Sequence, residues 1–322
     1  MNRLAAITAF LGGVKNRYLQ YQEDRGLDEK LALAAAAEGI DGVELCYPAD
    51  FDDVAQTRPL LEQHGLGVSR VNVRSRRTGK WLRAAFSSAD VRERREVVDD
   101  FRRAIDLARE VGTDRITTCP LNDGQDYVFE MNYLDALAWA AQSFAAICEH
   151  DRGTRVCIEY KINDPRVRCL IGSAAEVVAF ADQTGATNLG GTMDFGHALL
   201  AGERPAMSAA LLHRAGRLFY VHVNDNDRQW DWDMLPGAYN LLELVEFFYY
   251  LREIGYDDDW YAHDVMSKEV ETSEHFTTVA RLTRRIERMA DRIDRERMRE
   301  LMRVRNPSRT MEYLYETLFP EG

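Results

Sequence analysis

Four short stretches each end an apolar run in residues able to bind a metal or move a proton: Ile158-Glu159-Tyr160-Lys161, Met193-Asp194-Phe195-Gly196-His197, Val221-His222-Val223-Asn224-Asp225 and Ala262-His263-Asp264. Hard or borderline divalent cations require several carboxylates and imidazoles at one point, and strands that end on one side of a barrel can gather them there. On a strand, side chains alternate faces, so Cys157, Glu159 and Lys161 share one side, and Tyr220, His222 and Asn224 share another. Asp194 ends the strand between them. With Asp264 the set becomes three carboxylates and one imidazole, which suits Mn²⁺, Mg²⁺, Co²⁺ or Zn²⁺ and excludes a structural thiolate site. Parity can turn only one of His263 and Asp264 inward, and Asp264 is the preferred ligand.

The elements that position these residues follow from periodicity. Candidate strands are Leu4–Phe10, Gly42–Cys46, Val68–Val73, Arg115–Cys119, Thr154–Tyr160, Leu189–Phe195, Leu218–Val223 and Trp260–Val265. Helical periodicity fills the gaps, as in Arg92–Val111, Asn132–His150, Ala174–Thr184 and Leu241–Ile254. Ser173 is placed as an N-cap, and Gly39, Gly65, Gly112, Gly185 and Gly255 fall just after helices. Eight alternating β and α units predict an α/β fold, a (β/α)8 TIM barrel over residues 1–270. From Glu271 to Gly322 only helical periodicity remains, dense in Arg and Glu, which predicts a C-terminal helical extension serving subunit assembly in a dimer or tetramer.

Composition narrows the function. The chain has 322 residues, 46% of them apolar, and a formal charge of -12. That charge argues against nucleic acid as a partner. No apolar run approaches the ~18 residues of a membrane span and no signal peptide is visible, so no membrane role is expected. Five cysteines, Cys46, Cys119, Cys148, Cys157 and Cys169, have no metal-like spacing, which fits reduced thiols in a cytoplasmic protein.

A second acidic group follows the first. His197 lies three residues after Asp194, and Asp225, Asp227, Asp231 and Asp233 crowd the loop after the seventh strand. Asp231 and Asp233 could both grip one cation if that segment is extended, and a cation would relieve their repulsion. Aromatic residues near the strand ends, Tyr47, Tyr127, Trp230 and Trp232, are candidate sugar-stacking walls.

In this order the residues resemble the xylose isomerase superfamily, and within it the two-metal aldose–ketose isomerases. Glu159-Tyr160-Lys161-Ile162-Asn163-Asp164-Pro165-Arg166 is similar to the Glu-Pro-Lys-Pro-Asn-Glu-Pro-Arg stretch of xylose isomerases. The resemblance implies a first metal on Glu159, Asp194, His222 and Asp264, and a second on Asp194, His197, Asp231 and Asp233. It further implies Mn²⁺ as the leading ion, Lys161 as a hydrogen-bond donor to the substrate's O1, and a 1,2-hydride shift on an unphosphorylated sugar. In that reading Lys161, Glu159 and Asp264 are the catalytic residues.

One departure matters. The second-strand region reads Glu44-Leu45-Cys46-Tyr47-Pro48-Ala49-Asp50 and lacks the His-Asp pair with which xylose isomerases assist ring opening. The rival chemistry on the same barrel is a ketose 3-epimerase, which uses one metal and two glutamates as paired acid and base on opposite faces of the substrate. The shorter Asp264 as last ligand, Lys161 and the Asp231/Asp233 pair favour the isomerase, the main expectation.

Overall fold

The computed structural model describes residues 2–15, 19–164, 167–257 and 259–320. Pro165 and Arg166 of the xylose isomerase-like stretch lie outside the described residues. Eight parallel strands close into a barrel: β1 Arg3–Ile7, β2 Gly42–Tyr47, β3 Gly67–Val73, β4 Arg115–Thr118, β5 Arg155–Glu159, β6 Leu189–Asp194, β7 Leu218–Val223 and β8 Trp260–His263. Each strand pairs with its neighbours in sequence, and β8 pairs with β1 through Arg3 opposite Trp260 and Ala6 opposite His263. This is the TIM barrel expected from the alternation of units.

Helices α1 Leu27–Ala36, α2 Val54–His64, α3 Val91–Glu110, α4 Tyr133–His150, α5 Ala174–Thr184, the short α6 Phe195–Leu200, α7 Pro205–Arg214 and α8 Leu241–Glu253 follow the first seven strands. Their ends are set locally. The Ser173 hydroxyl accepts the N–H of Glu176 and opens α5, while Gly65 and Gly185, at φ of 68° and 69°, close α2 and α5 in the left-handed region that a side chain resists. After β8 come α9 Thr272–Arg292, α10 Arg295–Val304 and α11 Pro307–Leu318. The boundary expected at residue 270 falls just before α9, which packs against both α8 and α1 and buries Phe276, Val279, Ala280 and Ile286. That helix fills the gap between the last helix of the ring and the first. All five cysteines are free thiols. Among the described residues no helix is long and apolar enough to cross a membrane.

The barrel interior is layered. At its N-terminal end Arg70 points inward, 4.5 Å over the ring of Tyr220. Asp259, just ahead of β8, accepts from Arg70 at 2.6 Å and from Arg115 at 2.5 Å, tying β3 and β4 to β8. Burial works against the Asp259 charge, but the two guanidinium groups outweigh it and hold its carboxyl below the usual carboxylate range. The N-terminal face of such a barrel serves stability rather than chemistry.

A carboxyl whose folded-state pKa is depressed adds stability above its unfolded value of about 4, and that stability is lost as pH falls through the folded value. Asp259→Asn should therefore cost about 3 kcal/mol of unfolding free energy at neutral pH, measured by urea denaturation. The gap between variant and wild type should narrow below about pH 4. An undiminished gap at low pH would refute the ion-pair role.

Candidate metal centre and active site

At the opposite, C-terminal end, β5, β6, β7 and the residue after β8 deliver Glu159, Asp194, His222 and Asp264, with one donor atom of each within 4.8 Å of the others. Among the described residues this is the one such group. The Nδ1 of His222 lies 3.2 Å from Glu159, 3.7 Å from Asp194 and 3.8 Å from Asp264. Glu159, Asp194 and His222 are buried, and the side chain of Asp264 is 14% exposed. Parity decides the strand-eight ligand. His263 faces outward, its Nδ1 3.2 Å from the Ala5 carbonyl and its Nε2 2.9 Å from the Thr283 hydroxyl, and Asp264 points into the barrel.

Electrostatics set the buried carboxylates of the group against one another. Burial, with the Glu159 and Asp194 charges nearby, pushes the Asp264 carboxyl up to about 8. Burial also raises Asp194, and the repulsion of Glu159 adds to it. For Glu159 burial works in the same direction, but His222 and His197 overcome it and bring the carboxyl down to about 2. The buried Oδ1 of Asp264 has no hydrogen-bond partner, nor does the Nδ1 of His197. An oxygen-rich set with one imidazole and an orphaned carboxylate oxygen fits a divalent metal, and a bound cation would discharge the repulsion that raises Asp264.

A supporting layer holds the imidazole. The Nε2 of His222 lies 2.9 Å from Glu44, and Asn72 donates to the other Glu44 oxygen at 2.7 Å. With its proton on Nε2 the ring donates to Glu44, which leaves Nδ1 free to ligate. Asn224 does the same service for Asp194, donating to it at 3.1 Å while accepting the N–H of Gly196. Sequence reasoning missed Glu44 and Asn72, although a charged residue inside the otherwise apolar β2 was a visible signal.

The second expected set is not drawn to one point. His197 turns Nδ1 toward Glu159, 3.5 Å away, and Asp194, 4.0 Å away, but its Nε2 faces Asp231 at 3.1 Å. The same Asp231 oxygen takes the Lys161 ammonium at 2.7 Å, and Lys161 also reaches Asp164 at 3.1 Å. A cation is already present there, as a side chain. Burial disfavours the charge on Lys161, yet Asp231 and Asp164 prevail and raise its pKa. Asp231 and Asp233 do not form an extended pair, because Asp233 adopts a φ of 50°. Burial and Asp231 push the Asp233 carboxyl well up. The other two loop aspartates organise the backbone: Asp225 accepts from the N–H groups of Asn226, Tyr239 and Asn240, and Asp227 from Gln229 and the Trp232 indole.

A cavity of about 500 Å³ opens over the cluster, lined by Glu159, Lys161, His197, Asp231, Asp233 and Asp264 on one side. None of Tyr47, Tyr127, Trp230 and Trp232 lines it, so the expected stacking walls are absent there; Phe10 is the aromatic residue present. Tyr47 instead lies buried, its hydroxyl donating to Asp100, and Tyr127 is exposed at the surface.

A family model described as a xylose isomerase-like TIM barrel matches residues 31–276. The chain belongs to the xylose isomerase-like TIM barrel family. It is 26% identical over 235 residues to an L-ribulose 3-epimerase of Mesorhizobium japonicum, covering 72% of this chain and 73% of that protein. Against a xylose isomerase of Thermus thermophilus it is 24% identical over 212 residues, 62% of this chain and 55% of the isomerase. The solved D-allulose 3-epimerase of Methylomonas sp. superposes with a TM-score of 0.68 at 17% identity, over 87% of this chain and 95% of that one, and shows the shared fold.

Replacing Glu44 with Gln removes the charge behind His222 while keeping the side chain's shape. Mn²⁺ affinity, measured by calorimetric titration, should fall by about ten- to a hundredfold, with the circular dichroism spectrum unchanged. Unaltered affinity would remove Glu44 from the support of the metal centre.

Proposed function

We propose that the protein is a metal-dependent sugar epimerase that inverts a ketose at C3, with Glu159 and Asp264 as paired acid and base. The observation that carries this reading is the single four-residue cluster, in which two carboxylates from β5 and from the end of β8 flank one point. The main expectation, a two-metal hydride shift, loses its support because Lys161 and His197 already occupy Asp231. The similarity to an L-ribulose 3-epimerase over most of both chains points the same way.

Glu159, Asp194, His222 and Asp264 would hold the ion, for which Mn²⁺ is our choice among oxygen-preferring divalent metals. When bound, it would polarise the C2 carbonyl and so acidify the neighbouring C3 hydrogen. The residues divide the rest. One of Glu159 and Asp264 removes the C3 proton from one face of the substrate, and the other returns a proton to the opposite face. Their environments are already unequal: the two imidazoles beside Glu159 keep it ionised against its burial, while burial and the neighbouring carboxylates favour the protonated form of Asp264. His197 and Lys161 line the cavity as donors that orient the sugar's hydroxyls. Asp264 is one methylene shorter than a glutamate would be at this place.

A panel of ketoses incubated with the Mn²⁺-loaded protein should yield the C3-epimeric ketose, and a chelator should abolish turnover. Glu159→Gln and Asp264→Asn should each lower kcat by at least about a hundredfold. Formation of an aldose, or full turnover in metal-free protein, would overturn the assignment.

A further inference from the structure

The cavity over the metal centre is electrically two-sided. Strands β5 to β8 and the loops after them supply most of the carboxylates together with Lys161, whereas the loop after β1 and the end of β3 supply Arg25, Arg74 and Arg76 beside a single carboxylate, Asp24. Most cations around it are spent on internal partners: Arg76 lies 3.3 Å from Asp164, and Lys30 lies 2.9 Å from Asp50. Arg74 is not. It continues the inward parity of Arg70 and Asn72 to the rim, is only partly exposed, and among the described residues forms no ion pair within 4 Å. Its side chain donates to the Cys46 Sγ at 3.8 Å, a weak contact; burial disfavours its charge, which Cys46 and, from beyond ion-pair distance, the Asp264 and Glu159 carboxylates favour. Nearby Arg25 donates to the Leu11 carbonyl and the Gln22 amide oxygen, again without a carboxylate.

A guanidinium is always charged, and its planar fork matches a carboxylate or phosphate in two parallel hydrogen bonds. We infer that the substrate carries such an anionic group at the end remote from its reacting carbonyl, and that Arg74 binds it. This deepens the epimerase reading and rests on it only for the reacting end. It replaces the neutral, unphosphorylated sugar expected from the sequence with a sugar acid or sugar phosphate, laid across the cavity from the metal centre to β3. The rival role for Arg74, balancing the charge of the carboxylate cluster itself, would affect every ligand alike.

The test is calorimetric binding to the full-length, Mn²⁺-loaded protein of three probes that differ only at C6: D-fructose, D-fructuronate and D-fructose 6-phosphate. At least one anionic probe should bind tenfold or more tightly than D-fructose, and which of the two does so separates carboxylate from phosphate. Arg74→Gln should erase that advantage while leaving D-fructose binding within twofold, and Arg74→Lys should restore part of it. Equal affinities for the three probes would overturn the inference. So would an anion preference that survives Arg74→Gln, or an equal loss for charged and neutral probes. Because binding is read without turnover, an Arg74-dependent preference in a protein that forms no C3 epimer would leave this inference standing and remove only the epimerase reading.

Discussion

Three carboxylates share the top of a low-dielectric barrel interior with one imidazole, and their mutual repulsion is the constraint on which the site turns. Asp264 shows it most plainly, with its carboxyl raised to about 8 and one oxygen left without a partner. Burying several like charges without compensation is costly, and proteins keep such clusters where a cation completes them. The barrel makes the cluster possible because Glu159, Asp194, His222 and Asp264 stand at the ends of adjacent strands whose register is fixed by parallel pairing.

The same constraint reaches one layer deeper. An imidazole can serve a metal through only one nitrogen, and Glu44 settles which by engaging the other. Asn72 holds Glu44 in turn, so β2, β3 and β7 are committed to the orientation of a single ring. Further down, the Arg70–Asp259–Arg115 contacts close the other end of the barrel with a separate set of charges. Chemistry and stability are thereby placed at opposite ends, and each can vary with little effect on the other.

Much of this was legible in the sequence because strand alternation is a local rule. The eight strands and the inward face of Glu159 and His222 follow from period two, which also dictates that only one of His263 and Asp264 faces inward without saying which. What the sequence could not show was how ambiguous charges pair across the loops. Asp231 and Lys161 look like separate parts of a two-metal site when read along the chain, yet they neutralise each other in space at 2.7 Å. Asp225 and Asp227 look like ligands but serve as backbone acceptors in their own loop. The role of Glu44 did not show because its partners, Asn72 and His222, lie on strands distant in sequence.

In the proposed reading that pairing moves the chemistry from hydride transfer between neighbouring carbons to proton transfer by two carboxylates, and the two leave different isotopic records. A proton held by a carboxylate exchanges with solvent, whereas a transferred hydride does not. The most direct measurement is NMR of the product formed from a turned-over ketose in D₂O. Deuterium at C3 of the epimeric ketose is the result expected from paired Glu159 and Asp264. Product that keeps its hydrogen unexchanged, moved between C1 and C2 of an aldose–ketose pair, would contradict the one-metal, two-carboxylate account.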